Sequence, residues 1–248
     1  MINTHKCSAG WTKLAGQLAT VFWISLVLAG CEAMGTSGIN LISVEEEWEL
    51  GQEFEAQLAD ELSPYEDSRV SEMGQRIVAE TRKAHLPWRF YVVDDESINA
   101  FNVPGGLVYL HSGLIEQATD AEIAAVIGHE IGHGVARHGT QRMTQQYGLA
   151  MIASLVLGED PGMISEIVAQ IVAGGAVSQF SQAQEFEADE LGVHYIQDAG
   201  YDPQGMVALL ERFLELQQTD PGRMQQFFAT HPSSRERLER VRRQIDRM

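Results

Sequence analysis

The sequence predicts an α+β fold that is mostly helical and has one small β-sheet. Apolar residues at helical spacing recur through much of residues 45–248, which indicates a set of amphipathic helices. Short strand-like runs, bounded by turn residues, are confined to residues 88–111. The chain has 248 residues, and the roughly 200 that follow residue 44 are enough for one domain with a substantial core.

The first predicted elements are two helices followed by three strands. Helices are predicted over residues 45–62 and 68–84, and Trp48 and Phe54 mark the buried face of the first. Acidic residues and a Pro-Gly-Gly turn divide the next apolar segment into strands, predicted over residues 88–93, 100–102 and 107–111. We expect the last strand to lead directly into the next helix, which places the sheet beside that helix.

That next helix carries the pentapeptide His-Glu-Ile-Gly-His at residues 129–133. Thr119 and Glu122 form a capping box that predicts where the helix begins. Four branched apolar residues, each four positions apart, supply a stripe that would face the core: Ile123, Ile127, Ile131 and Val135. The opposite side carries the two histidines among small residues, where a surface helix would carry Lys, Gln or Arg.

Two histidines four residues apart on a helix can bind one zinc ion, and this pair is the strongest functional signal in the chain. Glu130 is rotated about 100° from His129 around the helix axis, so it can reach a water molecule at the metal without being a ligand. Zinc makes such a water acidic, and a glutamate that takes its proton produces a nucleophile for a peptide carbonyl. The pattern predicts His129 and His133 as zinc ligands and Glu130 as the general base; the alternative is a surface helix with two solvated histidines.

A catalytic zinc site also needs a third protein ligand and an open position. The pattern His-x-x-Gly-x-x-His, which would supply a third histidine, is absent. Ala136 occupies its glycine position and Gly139 occupies the position of its last histidine. On a later predicted helix, Glu185 and Asp189 share one face with small residues, as close packing against the metal helix requires. We therefore predict Glu185 as the third ligand and Asp189 as the acceptor that orients a histidine ring. Glu187 is expected to face solvent.

The remaining segments are also predicted to be helical. Apolar runs at residues 149–157 and 163–177 indicate two helices that form a lid over the cleft or dip into a nearby membrane, each too short to span a bilayer. A further helix is expected over residues 203–216. A capping box that begins at Ser233 predicts the final helix, whose arginine run we expect to pair with acidic neighbours.

Four motifs in this order resemble the gluzincin zinc metallopeptidases related to the CAAX prenyl protease and HtpX. They are the His-Glu-Ile-Gly-His helix, Glu185-x-x-Ala188-Asp189, the segment 98–106, and Thr230-His231-Pro232 followed by Arg237. The similarity covers roughly residues 45–247 and is greatest to the BepA- and LoiP-like branch of periplasmic lipoproteins. The printed sequence ends at Met248 without the helical repeats of the BepA pattern, so partner binding through such repeats is not implied.

The resemblance implies a gluzincin-like metallopeptidase domain and a zinc-dependent endopeptidase with one Zn²⁺ per chain. It also implies that an exposed sheet edge binds the substrate backbone as an added strand. We assign that edge to Asn102, Val103, Pro104 and Gly105; a plain hairpin that supports the core is the alternative. The expected substrates are unfolded or misassembled envelope proteins. The rival function is a chaperone-like assembly factor for outer-membrane proteins with latent or secondary peptidase activity.

His231 lies in a loop that Pro232 stiffens, and three roles for it remain open. It could be a fourth zinc ligand that keeps the enzyme latent, which is the role we favour. It could instead stabilise the oxyanion together with Arg237, or be an exposed ring in a helix-capping loop. We do not expect His111 or His194 to bind the metal.

The N-terminus predicts a lipoprotein signal peptide over residues 1–30. An apolar stretch ends in Leu28-Ala29-Gly30-Cys31, which reads as a lipobox that is cut before a lipidated Cys31. Residues 31–44 would form a tether and residues 45–248 the catalytic domain. Because Glu32 replaces the aspartate that favours retention at the inner membrane, we expect a lipid anchor at the periplasmic face of the outer membrane. An uncleaved membrane anchor is the alternative.

The composition argues against two further classes of function. The chain carries 17 Lys and Arg against 35 Asp and Glu, a formal net charge of −18. Such a charge disfavours nucleic-acid binding and broad attachment to anionic lipid headgroups.

Cys31 would be the only cysteine after cleavage, so an internal disulfide is not expected and a structural zinc site closed by cysteines is disfavoured. The sequence leaves protein partners other than substrates open.

Overall fold

The computed structural model describes residues 38–158, 161–173 and 179–248. Within it, Ile39–Met248 form one compact unit. The predicted signal peptide, Cys31 and the tether up to residue 37 lie outside the described residues, as does the end of the apolar run at residues 163–177. No helix in the described ranges is both long enough and apolar enough to cross a bilayer.

The elements confirm the predicted α+β class, with helices in the majority. In chain order they are α1 (Val44–Leu62), α2 (Ser68–Val78), β1 (Arg89–Val93), β2 (Ala100–Val103), β3 (Leu107–His111), α3 (Ser112–Ile115), α4 (Asp120–Ala136), α5 (His138–Val156), α6 (Pro161–Val172), α7 (Gln182–Asp198), α8 (Gln204–Thr219), α9 (Gln225–Thr230) and α10 (Arg235–Ile245). A 3-10 helix, Pro221–Met224, joins α8 to α9.

The three strands form one mixed sheet in the order β1-β3-β2. β1 is parallel to β3, and β2 is antiparallel to β3 with Val103 opposite Leu107. The connecting turn needs glycine, because Gly105 has φ 90° and its Cα packs directly against Gly51 of α1. β2 is an edge strand, and no other strand of the described ranges pairs with its outer side.

The sheet separates two apolar clusters, and β3 contributes to both because its side chains alternate. Val108 and Leu110 belong to the larger cluster, which surrounds α4. Leu107 and Tyr109 belong to the smaller one, which α1 and α6 cover. This double burial explains why β3 reads as a continuous apolar run rather than as an alternating one.

α4 and α7 pack closely because glycines replace larger side chains where the two helices meet. A Cβ on Gly132 would lie 2.7 Å from the carbonyl oxygen of Ala188, and one on Gly192 would lie 3.0 Å from the backbone of Gly128. Glycine inside a helix costs about 1 kcal/mol relative to alanine. The close approach offsets this cost and brings short side chains on the two helices within reach of each other.

Several predicted boundaries were wrong. α2 ends at Val78 rather than at residue 84, because the following residues turn towards α4, where Lys83 Nζ donates to Gly134 O at 3.1 Å. β3 does not lead directly into α4, since the short helix α3 intervenes. α10 is capped by Ser234, whose Oγ accepts from the backbone N–H of Arg237, and not by Ser233.

The segment predicted as lid or membrane helices packs against α1 and the smaller apolar cluster. α5 bends at Gly148, whose φ of 72° and ψ of 175° favour glycine. α6 packs on α1, and its Ile164, Ile167 and Val168 are buried in the smaller cluster. The apolar face of α6 is thus packed against the rest of the protein.

Candidate metal centre

α4 and α7 bring His129, His133 and Glu185 together in the interior. The two histidine Nε2 atoms lie 3.1 Å apart, and His133 Nε2 lies 3.2 Å from Glu185 Oε1. His129 Nε2 lies 3.7 Å from Glu185 Oε2. All three side chains are buried. Glu185 and Asp189 share one face of α7 with small residues. Both side chains turn towards α4.

The chemistry of this group fits a zinc ion. Its nitrogen and carboxylate atoms, together with one from His231, lie within 4.8 Å of one another. One cation between them would satisfy several buried lone pairs at once. Zinc prefers a donor set of two or three imidazoles with one carboxylate. Burial lowers the pKa of His133 well below its usual value, so its Nε2 lone pair is available to a metal.

His231 projects into the same group from the end of α9. Its Nδ1 lies 3.0 Å from Glu185 Oε1 and 3.2 Å from His129 Nε2. Its Nε2 lies 3.5 Å from Glu130 Oε1. The ring is 1% exposed and stacks on Phe227 at 4.8 Å between centroids. The alternative of an exposed ring in a capping loop is therefore wrong, and the ring lies within the group of residues that could hold a metal ion.

Glu130 lies beside this group on the same turn of α4. Its side chain is 1% exposed, and within the described ranges neither carboxylate oxygen has a hydrogen-bond donor. A buried carboxylate without donors keeps its lone pairs free to accept a proton from a reacting group. This is the placement that the sequence predicts for a general base.

Asp189 and Arg237 contact two of the possible ligands, His129 and Glu185. His129 Nδ1 lies 2.9 Å from Asp189 Oδ1. The Arg237 guanidinium donates to both oxygens of Asp189 at 2.7 Å and also contacts Glu185. Burial raises the pKa of Glu185, but the charges of Arg237 and His231, together with hydrogen bonds from His133 and His231, outweigh burial and hold that pKa well below the usual range. Burial also raises the pKa of Asp189, and the interactions of Arg237 and His129 together lower it below its usual value.

The oxyanion role considered for Arg237 does not agree with these contacts. Its Nε and one terminal nitrogen bind Asp189, while the other contacts Glu185 and lies 3.3 Å from Pro232 O. Arg237 is buried, and its charge is paired with the carboxylates of Asp189 and Glu185.

His138 is a site residue that the sequence reasoning missed. Its Nδ1 lies 2.9 Å from Nδ1 of His133, and its Nε2 lies 3.3 Å from Glu187 Oε2. The expectation that Glu187 faces only solvent was wrong, because its carboxylate reaches back to α5. The available signal was a further histidine five residues after His133.

Two other histidines lie outside the metal group, as expected. His111 is buried at the end of β3, where its Nδ1 lies 2.8 Å from Ser97 Oγ. His194 is exposed on α7. Neither belongs to the described group of possible ligands.

A cavity of about 80 Å³ opens beside His231. Its lining is mainly apolar and includes Phe101 and Val103 of β2, Met143 of α5, Ile167 of α6, and Phe180. Of the four residues proposed for substrate binding, Asn102, Val103 and Pro104 line this cavity. Gly105 does not line it, because it packs against α1.

Comparison with known proteins gives one family. Residues 64–245 match the model of Peptidase family M48. Three relatives illustrate the similarity, two of them from Escherichia coli. The Beta-barrel assembly-enhancing protease is 30% identical over 87% of this chain and 47% of its own length. Metalloprotease LoiP is 31% identical over 91% and 93%. The Mitochondrial metalloendopeptidase OMA1 of Schizosaccharomyces pombe is 30% identical over 69% and 51%. The chain thus spans about half the length of the first and third.

Proposed function

The chain belongs to peptidase family M48, and we propose that it is a zinc-dependent endopeptidase of the bacterial cell envelope that acts in protein quality control. The observation that carries this proposal is the buried group His129, His133 and Glu185, with Glu130 beside it. M48 peptidases use zinc, and the donor set fits that ion.

The residues of the site divide the chemistry between them. Bound zinc supplies Lewis acidity, which activates a water molecule and polarises the peptide carbonyl. Glu130 accepts the proton of the attacking water and then delivers it to the amine that leaves. Asp189 and Arg237 keep the ligands oriented and Glu185 ionised. Burial of the whole group removes competing water and strengthens each of these interactions.

We propose that the outer edge of β2 binds an extended substrate. An unpaired strand edge presents backbone N–H and C=O groups that a second extended chain can pair with. The cavity next to this edge is mainly apolar, so it suits side chains that a folded protein would bury. Both features favour an unfolded or misassembled polypeptide over a native domain.

The cellular test compares new protein N-termini in cells that carry the wild type and in cells that carry Glu130→Gln. An endopeptidase leaves termini that are present with the wild type and absent with the variant. The rival is a chaperone-like assembly factor, and the name of the assembly-enhancing relative favours keeping it as the second candidate. Under that rival, Glu130→Gln retains the cellular role of the wild type.

We expect Cys31→Ala to alter the location of the protein. If the lipobox is read as proposed, the variant either keeps its signal peptide or is released from membranes, because lipid attachment supplies most of the membrane affinity. Membrane fractionation measures release from membranes, and N-terminal sequencing of the product shows whether the signal peptide is retained. A processed Cys31→Ala protein that still fractionates with membranes would contradict the proposed anchor.

We expect His231→Ala to raise basal cleavage of an unstructured polypeptide several-fold while zinc stays bound. The imidazole lies against His129 and Glu185. If it fills the open position at the metal, as we propose, its removal frees that position for water and substrate. His194→Ala, an exposed histidine on α7, is the matched control and should change neither quantity. A fall in the activity of His231→Ala would instead assign the ring to catalysis.

A further inference from the structure

We infer that His138 is a positioning residue that holds the zinc ligand His133 through its Nδ1 atom. The inference rests on the proposed zinc site. It concerns a residue that is neither a ligand nor in the cavity. His138 is 1% exposed, and the distance from its Nδ1 to Nδ1 of His133 is 2.9 Å.

The direction of the hydrogen bonds follows from the ligand role of His133. Its Nε2 faces the other ligands, so that atom must keep its lone pair and the proton must sit on Nδ1. His133 therefore donates to Nδ1 of His138. His138 then carries its own proton on Nε2, which faces Glu187 Oε2 at 3.3 Å. Each donor in this series of hydrogen bonds has an acceptor, and the carboxylate of Glu187 is the last acceptor.

An unusual backbone turn places His138 there. Arg137 is the C-cap that follows α4, and its φ of 62° and ψ of 35° are strained for residues other than glycine. The Arg137 guanidinium donates to Ile42 O at 2.5 Å, to Ser43 O at 2.8 Å and to Glu47 Oε2 at 2.5 Å. These contacts hold the chain in a sharp reversal, so His138 begins α5 directly against the last turn of α4.

The two histidine ligands are thus supported in different ways. His129 is held by the buried carboxylate of Asp189, which Arg237 fixes in place. His133 is held by an imidazole, with Phe180 stacked on its ring at 3.9 Å between centroids. Loss of an outer hydrogen bond to a ligating histidine lowers metal affinity by about 10- to 100-fold. Removing the acceptor at residue 138 should lower zinc affinity by this amount.

The test compares two substitutions of similar shape. His138→Asn can place an amide oxygen where Nδ1 of His138 stood, whereas His138→Leu fills the same space without an acceptor. We expect His138→Leu to bind zinc about 10- to 100-fold more weakly than the wild type in competition with a chelator. His138→Asn should recover most of that loss. His194→Ala, an exposed histidine, is the control and should bind zinc as the wild type does.

Unfolding of the metal-free proteins separates positioning from packing. If His138 only fills space, His138→Leu and His138→Asn bind zinc with the same affinity, whatever either substitution does to the stability of the metal-free protein. Equal zinc affinity of the two folded variants therefore overturns the inference. If His138→Leu does not fold, His138→Ala replaces it in the same comparison. A folded wild type that binds no zinc would refute the proposed function itself, which is a distinct outcome.

Discussion

Glu130→Gln should leave one zinc bound per chain and lower peptide hydrolysis by at least ~100-fold, as expected for loss of a general base. The amide has nearly the shape of the carboxylate, so the neighbouring ligands keep their positions. It cannot accept a proton from water at neutral pH. The measurement is the rate of cleavage of an unstructured polypeptide, with zinc content determined on the same sample.

The rate should be compared in two backgrounds, because His231 lies 3.5 Å from Glu130 and is the residue that we propose keeps the enzyme latent. The His231→Ala background lacks that ring, so any latency due to it does not mask the effect of Glu130→Gln on chemistry. Glu190→Gln, on the exposed side of α7, is the charge-matched control and should cleave at the parent rate. Substantial turnover by zinc-loaded Glu130→Gln would remove Glu130 from the role of base.

Glu185→Ala should abolish tight zinc binding. It removes the only carboxylate in the described group of four possible ligands, leaving histidine nitrogens alone. Chelator competition should show an affinity loss much larger than that of Asp189→Ala, which we expect to weaken zinc by about 10- to 100-fold. Asp189 touches His129 Nδ1 rather than the metal position, so the two effects separate a ligand from a residue that orients one.

Glu187 and Glu190 complete this comparison on the same helix. Glu187 acts only through His138, so Glu187→Ala should change zinc affinity less than Asp189→Ala does. Glu190→Ala should change nothing, since its side chain faces away from α4. If Glu187→Ala lost zinc and Glu185→Ala kept it, the assignment of the third ligand would be wrong.

The parts of this site that the sequence predicted depend on local periodicity. His129 and His133 are four residues apart on one helix, and Glu185 and Asp189 are four apart on another, so helical geometry alone puts each pair on one face. Glycines at Gly132 and Gly192 then indicate where two helices can approach closely. The predicted resemblance to gluzincin peptidases is confirmed by the family match, and so is the metallopeptidase class.

The parts that were missed depend on contacts between distant segments. Arg137 adopts a left-handed conformation only because residues 42–47 bind its guanidinium, and no local pattern predicts such a turn without glycine. The position of His138 follows from that turn. Arg237 was expected near the metal, but its pairing with two carboxylates of α7 could be known only once α10 was placed.

The boundary errors have the same origin. Residues 79–84 have helical spacing, yet Trp88 and Lys83 bind backbone carbonyls and turn the chain instead. Ser233 and Ser234 are equally good caps by composition, and the packing of α10 on α7 and α8 decides between them. In each case tertiary contacts outweigh a preference of about 1 kcal/mol.

Titration of zinc into metal-depleted protein, followed by cleavage of an unstructured polypeptide, tests the central claim most directly. In the wild type and in His231→Ala, cleavage should rise with added zinc and level off at one zinc per chain, with the higher plateau in His231→Ala. The opposite result would be a folded, zinc-loaded His231→Ala protein that cleaves no faster than its metal-depleted form. That result would contradict a zinc endopeptidase built on His129, His133 and Glu185.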